Sequence, residues 1–266
     1  MRRARTSIVN ADDGEAGYFM TAGRHTDQSG RVIGFGTAPG SDVRIAHVAV
    51  DGPRLALTFE MGGARLAGTL PLLGTYNAHN AAAALAAAVE LGIEPAHALA
   101  RLASFPGVPG RMQVVQELPF MVVVDFAHTP VALAKALAVV RPPQGRLIVV
   151  IGAAGERDPG KRAGLGEEAA TGADLAIFTE EDSRSEPIEE ILAAMAAGAA
   201  SRAAVLGRDY LLVPDRTAAI RAALAAARDG DVVMLAGKGH EATLERLTET
   251  VPWDEVGVVT RLLGER

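Results

Sequence analysis

The hydrophobic pattern changes style part-way along the chain. Between residues 7 and 73, short apolar segments alternate with turn residues, as in Arg31–Gly36 and 54–59. Segments of this kind, separated by Gly-Gly, Pro-Gly and Asp-Gly pairs, predict β-strands joined by hairpins and tight turns. Two helices are expected after them, at 80–91, which is almost entirely alanine and leucine, and at 94–102.

Beyond residue 111, apolar strands alternate with helical segments. The strands are predicted at 120–124, 147–151, 174–178, 210–213 and 232–235, and the helices at 130–140, 161–171, 187–199 and 216–227. This alternation predicts parallel strands joined by right-handed crossovers, which is the pattern of an α/β fold. A break rich in proline and glycine at 106–110 separates the two styles. We therefore expect two domains, 1–110 and 111–266.

Composition narrows the possible functions. Hydrophobic residues make up 49% of the 266 residues and aromatic residues 4%, so the cores must be built from aliphatic side chains and alanine. The formal net charge of −6 gives no electrostatic reason to expect nucleic acid or an anionic membrane as a partner. The sequence contains no cysteine, which excludes disulfides and thiolate metal sites. No apolar run reaches the roughly 20 residues of a membrane span, and a cytoplasmic protein is expected.

Three polar motifs follow predicted strands in a fixed order. They read Val-Asp-Phe-Ala-His-Thr-Pro at 124–130, Gly-Glu-Arg-Asp-Pro-Gly-Lys-Arg at 155–162 and Ala-Gly-Lys-Gly-His-Glu at 236–241. Open α/β sheets bind ligands in the crevice beyond the carboxyl ends of their strands, so the motifs are expected to line one site. With Gly-Val-Pro-Gly-Arg at 107–111, the set resembles the C-terminal domain of the Mur ligase family. The chain is most similar to the branch that adds the third residue of the peptidoglycan stem peptide.

The resemblance implies a fold and an activity. Residues 1–110 would be the second part of the central, ATP-binding domain, and 111–266 a Rossmann-like, amino-acid-binding domain with a mostly parallel sheet. The implied reaction is ATP-dependent amide formation, in which a carboxylate of UDP-N-acetylmuramoyl-L-Ala-D-Glu becomes an acyl phosphate that the amine of a diamino acid attacks. The implied partners are ATP, Mg²⁺, the muramoyl dipeptide and a diamino acid, which is ornithine, lysine or diaminopimelate.

Five residues match positions that bind nucleotide in that family: Asn77, Asn80, Arg111, Asp125 and His128. By the resemblance, Asn80 helps to hold adenine with support from Asn77, and Asp125 accepts hydrogen bonds from the ribose hydroxyls. Arg111 would reach the γ-phosphate and stabilise the charge that develops there, which makes it the catalytic residue expected in this chain. From the residues alone, the asparagines could equally cap a helix, Asp125 could cap the next one, and Arg111 could be a solvated surface group.

Five further residues match positions that bind the incoming amino acid: Arg157, Asp182, Arg184, Gly237 and Glu241. The resemblance assigns Arg157 to the carboxylate of that amino acid. It assigns Gly237 and Glu241 to the backbone and amino group. Lys238 and His240, in the same motif, could instead hold the loop by hydrogen bonds. Asp215 and Arg216, at the start of the predicted helix 216–227, are expected to be a helix cap and its surface partner.

The segment 181–184 predicts which diamino acid is added. It reads Glu-Asp-Ser-Arg, where the form that is familiar from diaminopimelate enzymes reads Asp-Asn-Pro-Arg. Asp182 puts negative charge where an amide usually stands, which favours a distal ammonium over a distal carboxylate. Arg184 argues the other way, unless it pairs with Asp182. We therefore expect ornithine or lysine rather than diaminopimelate.

Several motifs of the family do not occur in this sequence. It contains no Gly-x-x-Gly-Lys-Thr/Ser phosphate loop, and the ligands of Mg²⁺ are expected in a missing N-terminal part. The 266 residues alone are therefore expected to be inactive in ligation, and to associate with themselves or with a missing half. Two other interpretations stay open. One is a non-catalytic fragment that binds nucleotide or amino acid, and the other is a different ligase of the superfamily, similar to folylpolyglutamate or cyanophycin synthetases.

Overall fold

The computed structural model describes residues 5–24 and 30–265, and the chain folds as two compact units joined at the bond between Pro106 and Gly107. This bond lies at the start of the break between the two styles of sequence. None of the helices in the described part of the chain is both long and apolar enough to cross a membrane.

The first unit is a five-stranded mixed sheet packed with three helices. Its strands are β1 (Thr6–Asn10), β2 (Arg31–Gly36), β3 (Val43–Asp51), β4 (Arg54–Met61) and β5 (Ala64–Leu70), and its helices are α1 (Ala16–Gly23), α2 (Asn77–Glu90) and α3 (Pro95–Ala103). The strands lie in chain order, parallel from β1 to β3 and antiparallel from β3 to β5. Leu55, Leu57 and Phe59 alternate along β4 into a core that α2 completes with alanines.

Helix α1 is absent from the sequence-based prediction, which places only strands between residues 7 and 73. Its eight residues include two glycines, have no side-chain cap, and leave Tyr18 and Phe19 exposed. Local propensity therefore gives little signal for a helix. The topology requires a connection of this kind, because two adjacent parallel strands such as β1 and β2 need a crossover between them.

The second unit contains a six-stranded, mostly parallel sheet. Its strands are β6 (Gln113–Gln116), β7 (Met121–Val124), β8 (Leu147–Ala153), β9 (Leu175–Glu180), β10 (Tyr210–Leu212), β11 (Val232–Leu235), β12 (Thr243–Glu245) and β13 (Thr250–Pro252). Its helices are α4 (Pro130–Val140), α5 (Gly160–Gly172), α6 (Ile188–Ser201), α7 (Arg216–Ala226) and α8 (Glu255–Gly264). The order across the sheet is β10-β9-β8-β11-β7-β6 with β6 antiparallel, and β12 pairs with β13 in a separate hairpin. The predicted α/β fold is confirmed.

All of the predicted strands and helices of the second unit occur, with ends that shift by at most two residues. Continuous apolar runs mark its strands because a parallel sheet is covered on both faces, and every residue of β8 is buried. Strand β6, the β12–β13 hairpin and helix α8 escape the prediction. The three strands are only three or four residues long, and the helix contains a glycine near its start, which lowers its helix propensity.

Four strands of the second sheet end side by side. Strands β9, β8, β11 and β7 are neighbours and run parallel, so their carboxyl ends meet at one edge. The three sequence motifs and the segment 181–184 follow these strands directly. With the exception of Arg111, the predicted site residues of this unit therefore lie in loops at the same edge of the sheet.

The outer edge of β1 generates a prediction about association. Among the described residues β1 pairs only with β2, so its other edge presents backbone groups that can pair with a further strand. We expect the 266-residue chain to form concentration-dependent oligomers, while residues 107–266 alone stay monomeric. Sedimentation velocity of both proteins over a range of concentrations checks this. A compact monomer of the full chain at high concentration contradicts it.

Candidate functional site

The carboxyl edge of the second sheet collects most of the charged side chains singled out above, and the region between the loops at this edge is called the crevice below. The loops after β8, β9 and β11 form its walls. Five successive polar residues at the end of β9, residues 179–183, are buried. Polar side chains are rarely buried in succession unless they are hydrogen-bonded, so the partner of each one defines the site.

Lys238 is fully buried and is neutralised by two carboxylates. Its Nζ lies 2.8 Å from Asp182 Oδ1 and 2.8 Å from Glu241 Oε2. The same oxygen of Asp182 accepts a hydrogen bond of 3.0 Å from the backbone N–H of Glu245. A buried ammonium needs partners of this kind to offset its desolvation. Lys238 therefore joins the loops after β9 and β11, which favours the structural alternative for this residue.

The guanidinium of Arg184 has a protein neighbour at each of its nitrogens. Nε donates to Glu245 Oε2 at 2.7 Å, and one terminal nitrogen donates to the Gly155 carbonyl oxygen at 2.7 Å. The other terminal nitrogen lies 3.6 Å from Asp182 Oδ2. The pairing of Asp182 with Arg184 is thus the longest of these contacts, and Lys238 is the closer partner of Asp182. Arg184 also has a φ of +50°, which is uncommon for a residue with a side chain.

Glu181 has a buried oxygen without a partner. Among the described residues, its Oε2 is the only buried side-chain oxygen that makes no hydrogen bond. Burial raises its pKa, an effect that the cations of Arg216, Lys161 and Lys238 oppose. The oxygen faces Gly237, where a Cβ would lie 2.8 Å from it and where φ is +100°. The crevice therefore contains one polar group that the protein itself does not use.

Two cations near the mouth of the crevice make no hydrogen bond or ion pair within the described part of the chain. Arg157 is exposed in the loop after β8, and Lys161 lies in the first turn of α5. Their neighbour Arg162 differs, because it is buried and binds both oxygens of Glu186 at 2.8 and 2.9 Å. Arg157 and Lys161 are therefore available to an anionic group of a ligand.

The predicted residues that follow β7 form a second group. Asp125 accepts hydrogen bonds from the backbone N–H groups of Met112 and Ala127, at 2.9 and 2.8 Å. Helix α4 is capped by Thr129, whose hydroxyl accepts from the N–H of Ala132. The helix-cap alternative for Asp125 is therefore excluded. Its carboxylate instead fixes the segment through which the chain enters the second sheet.

Phe126 is surrounded by cationic and aromatic side chains. The guanidinium carbon of Arg111 lies 4.4 Å from the centre of the Phe126 ring, where cation–π attraction holds it. The rings of His128 and His240 lie 4.7 and 5.2 Å from the same ring. The structure thus gathers three nitrogen-bearing side chains around one aromatic ring beside the crevice.

Two glycines allow the Arg111 segment to reach this ring. A Cβ on Gly110 would lie 2.3 Å from the backbone nitrogen of His240, and a Cβ on Gly239 would lie 2.8 Å from Cβ of Phe126. Both glycines also have positive φ. Two backbones approach this closely only where side chains are absent. The segment before β6 and the loop after β11 are therefore in direct backbone contact.

The two predicted asparagines lie in the first unit, at the start of α2. Asn77 Nδ2 donates to the Leu73 carbonyl oxygen at 2.7 Å, and Asn80 Nδ2 donates to Asn77 Oδ1 at 2.8 Å. Tyr76 occupies the cap position, so neither asparagine caps the helix. Asn77 is thus a fixed support, while the exposed Asn80 keeps its carbonyl oxygen for a ligand.

Asp12 ties the start of α2 to the ends of β1 and β2. Its carboxylate accepts from the N–H and hydroxyl of Thr37 at 2.7 and 3.0 Å and from the N–H of Ala38 at 2.9 Å. It also lies 2.8 Å from His79 Nε2. Burial opposes ionisation, but these hydrogen bonds outweigh it and lower the pKa of Asp12 from 3.8 to about 2. Asp12 thereby positions the helical turn that contains both asparagines.

A buried arginine joins the ends of two strands below the crevice. Arg216 donates to the carbonyl oxygens of Glu180 and Ala236, at 3.1 and 2.9 Å. Its guanidinium also binds both oxygens of Glu255, which is fully buried and accepts from the Trp253 indole at 2.6 Å. Burial alone would lower the pKa of Arg216, but the charge and hydrogen bonds of Glu255 outweigh burial and raise it.

Comparison with known proteins identifies the family of this chain. Residues 110–239 match the Mur ligase, glutamate ligase domain. A UDP-N-acetylmuramyl-tripeptide synthetase of Roseiflexus sp. (strain RS-1) is 41% identical over 268 residues, which cover 99% of this chain and 52% of that protein. A protein of the same name from Deinococcus radiodurans is 50% identical over 202 residues, covering 74% of this chain and 40% of that protein. The chain belongs to the Mur ligase family.

A solved Mur ligase structure supports this assignment. The structure of a UDP-N-acetylmuramoyl-L-alanyl-D-glutamate--2,6-diaminopimelate ligase is similar with a TM-score of 0.72 at 30% identity, over 98% of this chain and 53% of that one. This chain therefore spans about half the length of the Mur ligases it matches, and it corresponds to their C-terminal portion.

The amino-acid-binding positions predicted from the Mur ligase resemblance lie around one crevice. Asp182, Arg184, Gly237 and Glu241 lie in the loops after β9 and β11, and Arg157 lies exposed in the loop after β8. The predicted nucleotide-binding residues divide between the two units, with the asparagines in the first and the other three in the second.

The sequence-based prediction assigned no role to Asp12, Glu245 and Glu255, and it included Glu181 only as part of the segment 181–184. Asp12 and Glu181 stand within two residues of the end of a strand, a position that could have marked them as candidates. Glu245 and Glu255 lie in elements that the hydrophobic pattern does not reveal. Their partners are 61 and 39 residues away along the chain, so no local motif links them.

The sequence-based interpretation of Arg216 was wrong. Asp215 caps α7 as expected, accepting from the N–H of Ala218 at 2.7 Å. Arg216, however, was expected to be a surface partner beside this cap, and it is fully buried. A charged residue in the first turn of a helix usually faces solvent, but here the helix starts directly beneath the ends of β9 and β11, whose carbonyls need donors.

The buried Arg216–Glu255 pair predicts a large stability effect. Replacing Glu255 by Gln leaves a buried guanidinium without its counter-charge, which should cost about 3–5 kcal/mol of unfolding free energy. The matched control is Glu265→Gln, because Glu265 also links α8 to an arginine of α7 but is 41% exposed, so its replacement should cost far less unfolding free energy. Urea unfolding followed by the fluorescence of Trp253, the single tryptophan, measures both. Equal stabilities of the two variants would refute the prediction.

The depressed pKa of Asp12 predicts a titration at two backbone amides. Because the pKa is lower in the folded than in the unfolded chain, the hydrogen bonds of Asp12 stabilise the fold above a pH of about 4, and this contribution is lost as the pH falls toward 2. The amide shifts of Thr37 and Ala38, followed by NMR, should titrate with a midpoint near pH 2. Asp12→Asn should abolish the titration. A midpoint at the ordinary value of 3.8 in the unmodified chain would speak against the network.

Proposed function

We propose that this chain supplies the amino-acid pocket and part of the nucleotide site of an ATP-dependent ligase, which joins a diamino acid to UDP-N-acetylmuramoyl-L-Ala-D-Glu in peptidoglycan synthesis. One observation carries the proposal. The loops at one edge of the sheet contain Arg157 and Lys161, which make no hydrogen bond or ion pair within the described residues, and Glu181, whose buried Oε2 makes no hydrogen bond. A free amino acid has one anionic and at least one cationic group, so it needs both kinds of partner. The names of the similar proteins support the same assignment.

The proposed roles follow from which atoms remain available. Arg157 receives the α-carboxylate of the amino acid, because its guanidinium is exposed and unpaired among the described residues. Glu241 uses Oε2 for Lys238 and keeps Oε1 for an amino group. Gly237 contacts the substrate backbone at the end of β11, and its lack of a side chain leaves room for Glu181 Oε2, which would lie 2.8 Å from a Cβ at this position. Glu181 supplies a second acceptor for an ammonium group.

In each unit taken by itself, the predicted nucleotide-binding residues offer groups that suit ATP. Asn80 offers a carboxamide oxygen, and Asp125 is held by two backbone N–H groups in a position where its remaining lone pairs can accept from ribose hydroxyls. ATP would supply the phosphoryl group that gives the dipeptide carboxylate a leaving group. Arg111 is the proposed catalytic residue, because a guanidinium held on the Phe126 ring can stabilise charge on the transferring phosphate.

We propose no ligand for Mg²⁺ among the residues described here. No group of three or more histidine, aspartate and glutamate side chains within residues 5–24 and 30–265 is arranged to hold a metal ion. We therefore assign no step to Mg²⁺ within this chain. The proposal accordingly gives binding, rather than complete ligation, to these 266 residues.

A glutamate-adding activity is the alternative function to be tested. The domain that residues 110–239 match is described as a glutamate ligase domain. Glutamate carries a distal carboxylate, whereas ornithine and lysine carry a distal ammonium. The unpartnered Glu181 favours the ammonium, because a second carboxylate beside it would be repelled.

Binding of free amino acids to the purified chain tests the proposed function. We expect L-ornithine or L-lysine to bind in ligand-observed NMR titrations and L-glutamate not to bind. Arg157→Ala should weaken binding by about tenfold or more, because it removes a charge-assisted hydrogen bond. Arg208→Ala is the control, since Arg208 is an exposed arginine that pairs with its neighbour Asp209 at 2.7 Å. Preferential binding of glutamate, or an Arg157→Ala variant that binds normally, would overturn the assignment.

A further inference from the structure

We propose that Glu245 selects the substrate of the amino-acid pocket by acting as an internal carboxylate that occupies Arg184. The pocket then accepts a diamino acid with a single carboxylate, such as ornithine or lysine, and rejects a diamino acid with a second, distal carboxylate. This inference rests on the proposed function and adds to it the residue that distinguishes the two substrate classes.

Two of the three side-chain nitrogens of Arg184, including Nε, already donate hydrogen bonds within the protein. A carboxylate binds a guanidinium best through two parallel N–H donors. In this protein Nε is bound to Glu245 at 2.7 Å and one terminal nitrogen to the Gly155 carbonyl at 2.7 Å. The remaining nitrogen faces Asp182 at 3.6 Å. A ligand carboxylate would therefore have to displace Glu245 before it could bind Arg184 side-on, through Nε and the terminal nitrogen parallel to it.

Backbone contacts, rather than side-chain contacts, fix the position of Glu245. The N–H of Glu245 donates to Asp182 Oδ1 at 3.0 Å, and its carbonyl oxygen accepts from the N–H of Arg184 at 3.0 Å. Glu245 is also the last residue of β12 and pairs with Thr250 across the hairpin, while its neighbour Leu244 is fully buried. The carboxylate is thus presented to Arg184 by three fixed points. Changing its chemistry need not move the chain.

The cations around the crevice differ in whether they are paired with a carboxylate. Within the described residues, two of them besides Arg184 have carboxylate partners. Lys238 binds Asp182 and Glu241, and Arg246 binds both oxygens of Glu180 at 2.6 and 2.8 Å. The unpaired cations, Arg157 and Lys161, both lie on the side of the loop after β8. Arg157 and Lys161 can therefore bind one carboxylate of a ligand. The charges of Lys238 and Arg246 are already neutralised by carboxylates of the protein.

A ligand can reach the Arg184–Glu245 pair. The Arg184 side chain is 19% exposed and that of Glu245 is 42% exposed, so the pair lies at the mouth of the crevice rather than in the core. Removing the negative charge of Glu245 would leave Arg184 in place, held by Gly155 and by its own backbone bond to residue 245. The pocket would then gain a second cation that is open to a carboxylate.

The test compares three chains, the unmodified protein, Glu245→Gln and Glu249→Gln. Glu249 is a matched control, because it lies in the same hairpin and pairs with an arginine, Arg246, at 3.4 Å, yet faces solvent. Binding of L-ornithine, L-lysine and meso-diaminopimelate is measured by ligand-observed NMR, and the melting temperature of each chain is recorded. In the unmodified protein and in Glu249→Gln we expect ornithine or lysine to bind at least about tenfold more tightly than diaminopimelate. In Glu245→Gln we expect the Kd for diaminopimelate to fall by about tenfold, with less than about threefold change for ornithine and lysine.

The outcomes separate the inference from the proposed function. If the unmodified chain binds ornithine or lysine but binds diaminopimelate equally well, the inference fails and the proposed function stands. If it binds none of the three, the proposed amino-acid pocket itself fails, and the inference with it. If Glu245→Gln lowers the melting temperature without changing the ratio of the dissociation constants, Glu245 only stabilises the hairpin and does not select the substrate. Glu245→Ala, which removes the side chain altogether, must then also leave the ratio unchanged.

Discussion

The arrangement of the crevice depends on one buried guanidinium. Arg216 is inaccessible to solvent, and it bonds to the carbonyl oxygens at the ends of β9 and β11 and to the carboxylate of Glu255. Those two strands are separated in the sheet by β8, so the arginine fixes the spacing of loops that the ladder hydrogen bonds alone do not connect. These carbonyls belong to Glu180 and Ala236, and the next residues in the chain are Glu181 and Gly237. The positions of both depend on this single side chain.

Burial of one charge forces the burial of others. Arg216 requires Glu255, and the adjoining end of β9 places Glu180, Glu181 and Asp182 in a region with little water. Arg246 and Lys238 neutralise two of these carboxylates. Glu181 remains without a partner atom, which is the kind of incomplete pairing that proteins rarely tolerate outside functional sites. The charged groups of the crevice that lack a protein partner, such as Glu181, are therefore the ones that a ligand can bind.

The sequence predicts this fold well in the second unit and less well in the first. Parallel strands that are buried on both faces, such as β8, produce continuous apolar runs, and the motifs mark where they end. Helix α1 leaves no such signal, because a glycine-containing segment of eight residues is helical only on account of its topology. In the site, loop residues after strands could be proposed from position alone. The partners that decide which charges are free, Glu245 and Glu255, are contributed by distant short elements, and only the folded chain brings them to Arg184 and Arg216.

The contact between Gly110 and Gly239 limits how this chain can be recombined. A side chain at residue 110 would overlap the backbone at 239 and 240, so these two segments can vary only as a matched pair. A chimera joined at residue 111 would take the loop after β11 from one parent and the glycine that faces it from another. A junction at the bond between Pro106 and Gly107 keeps both segments in one parent. The natural unit of exchange therefore begins four residues before Arg111, and the Gly-Val-Pro-Gly segment travels with the domain that follows it.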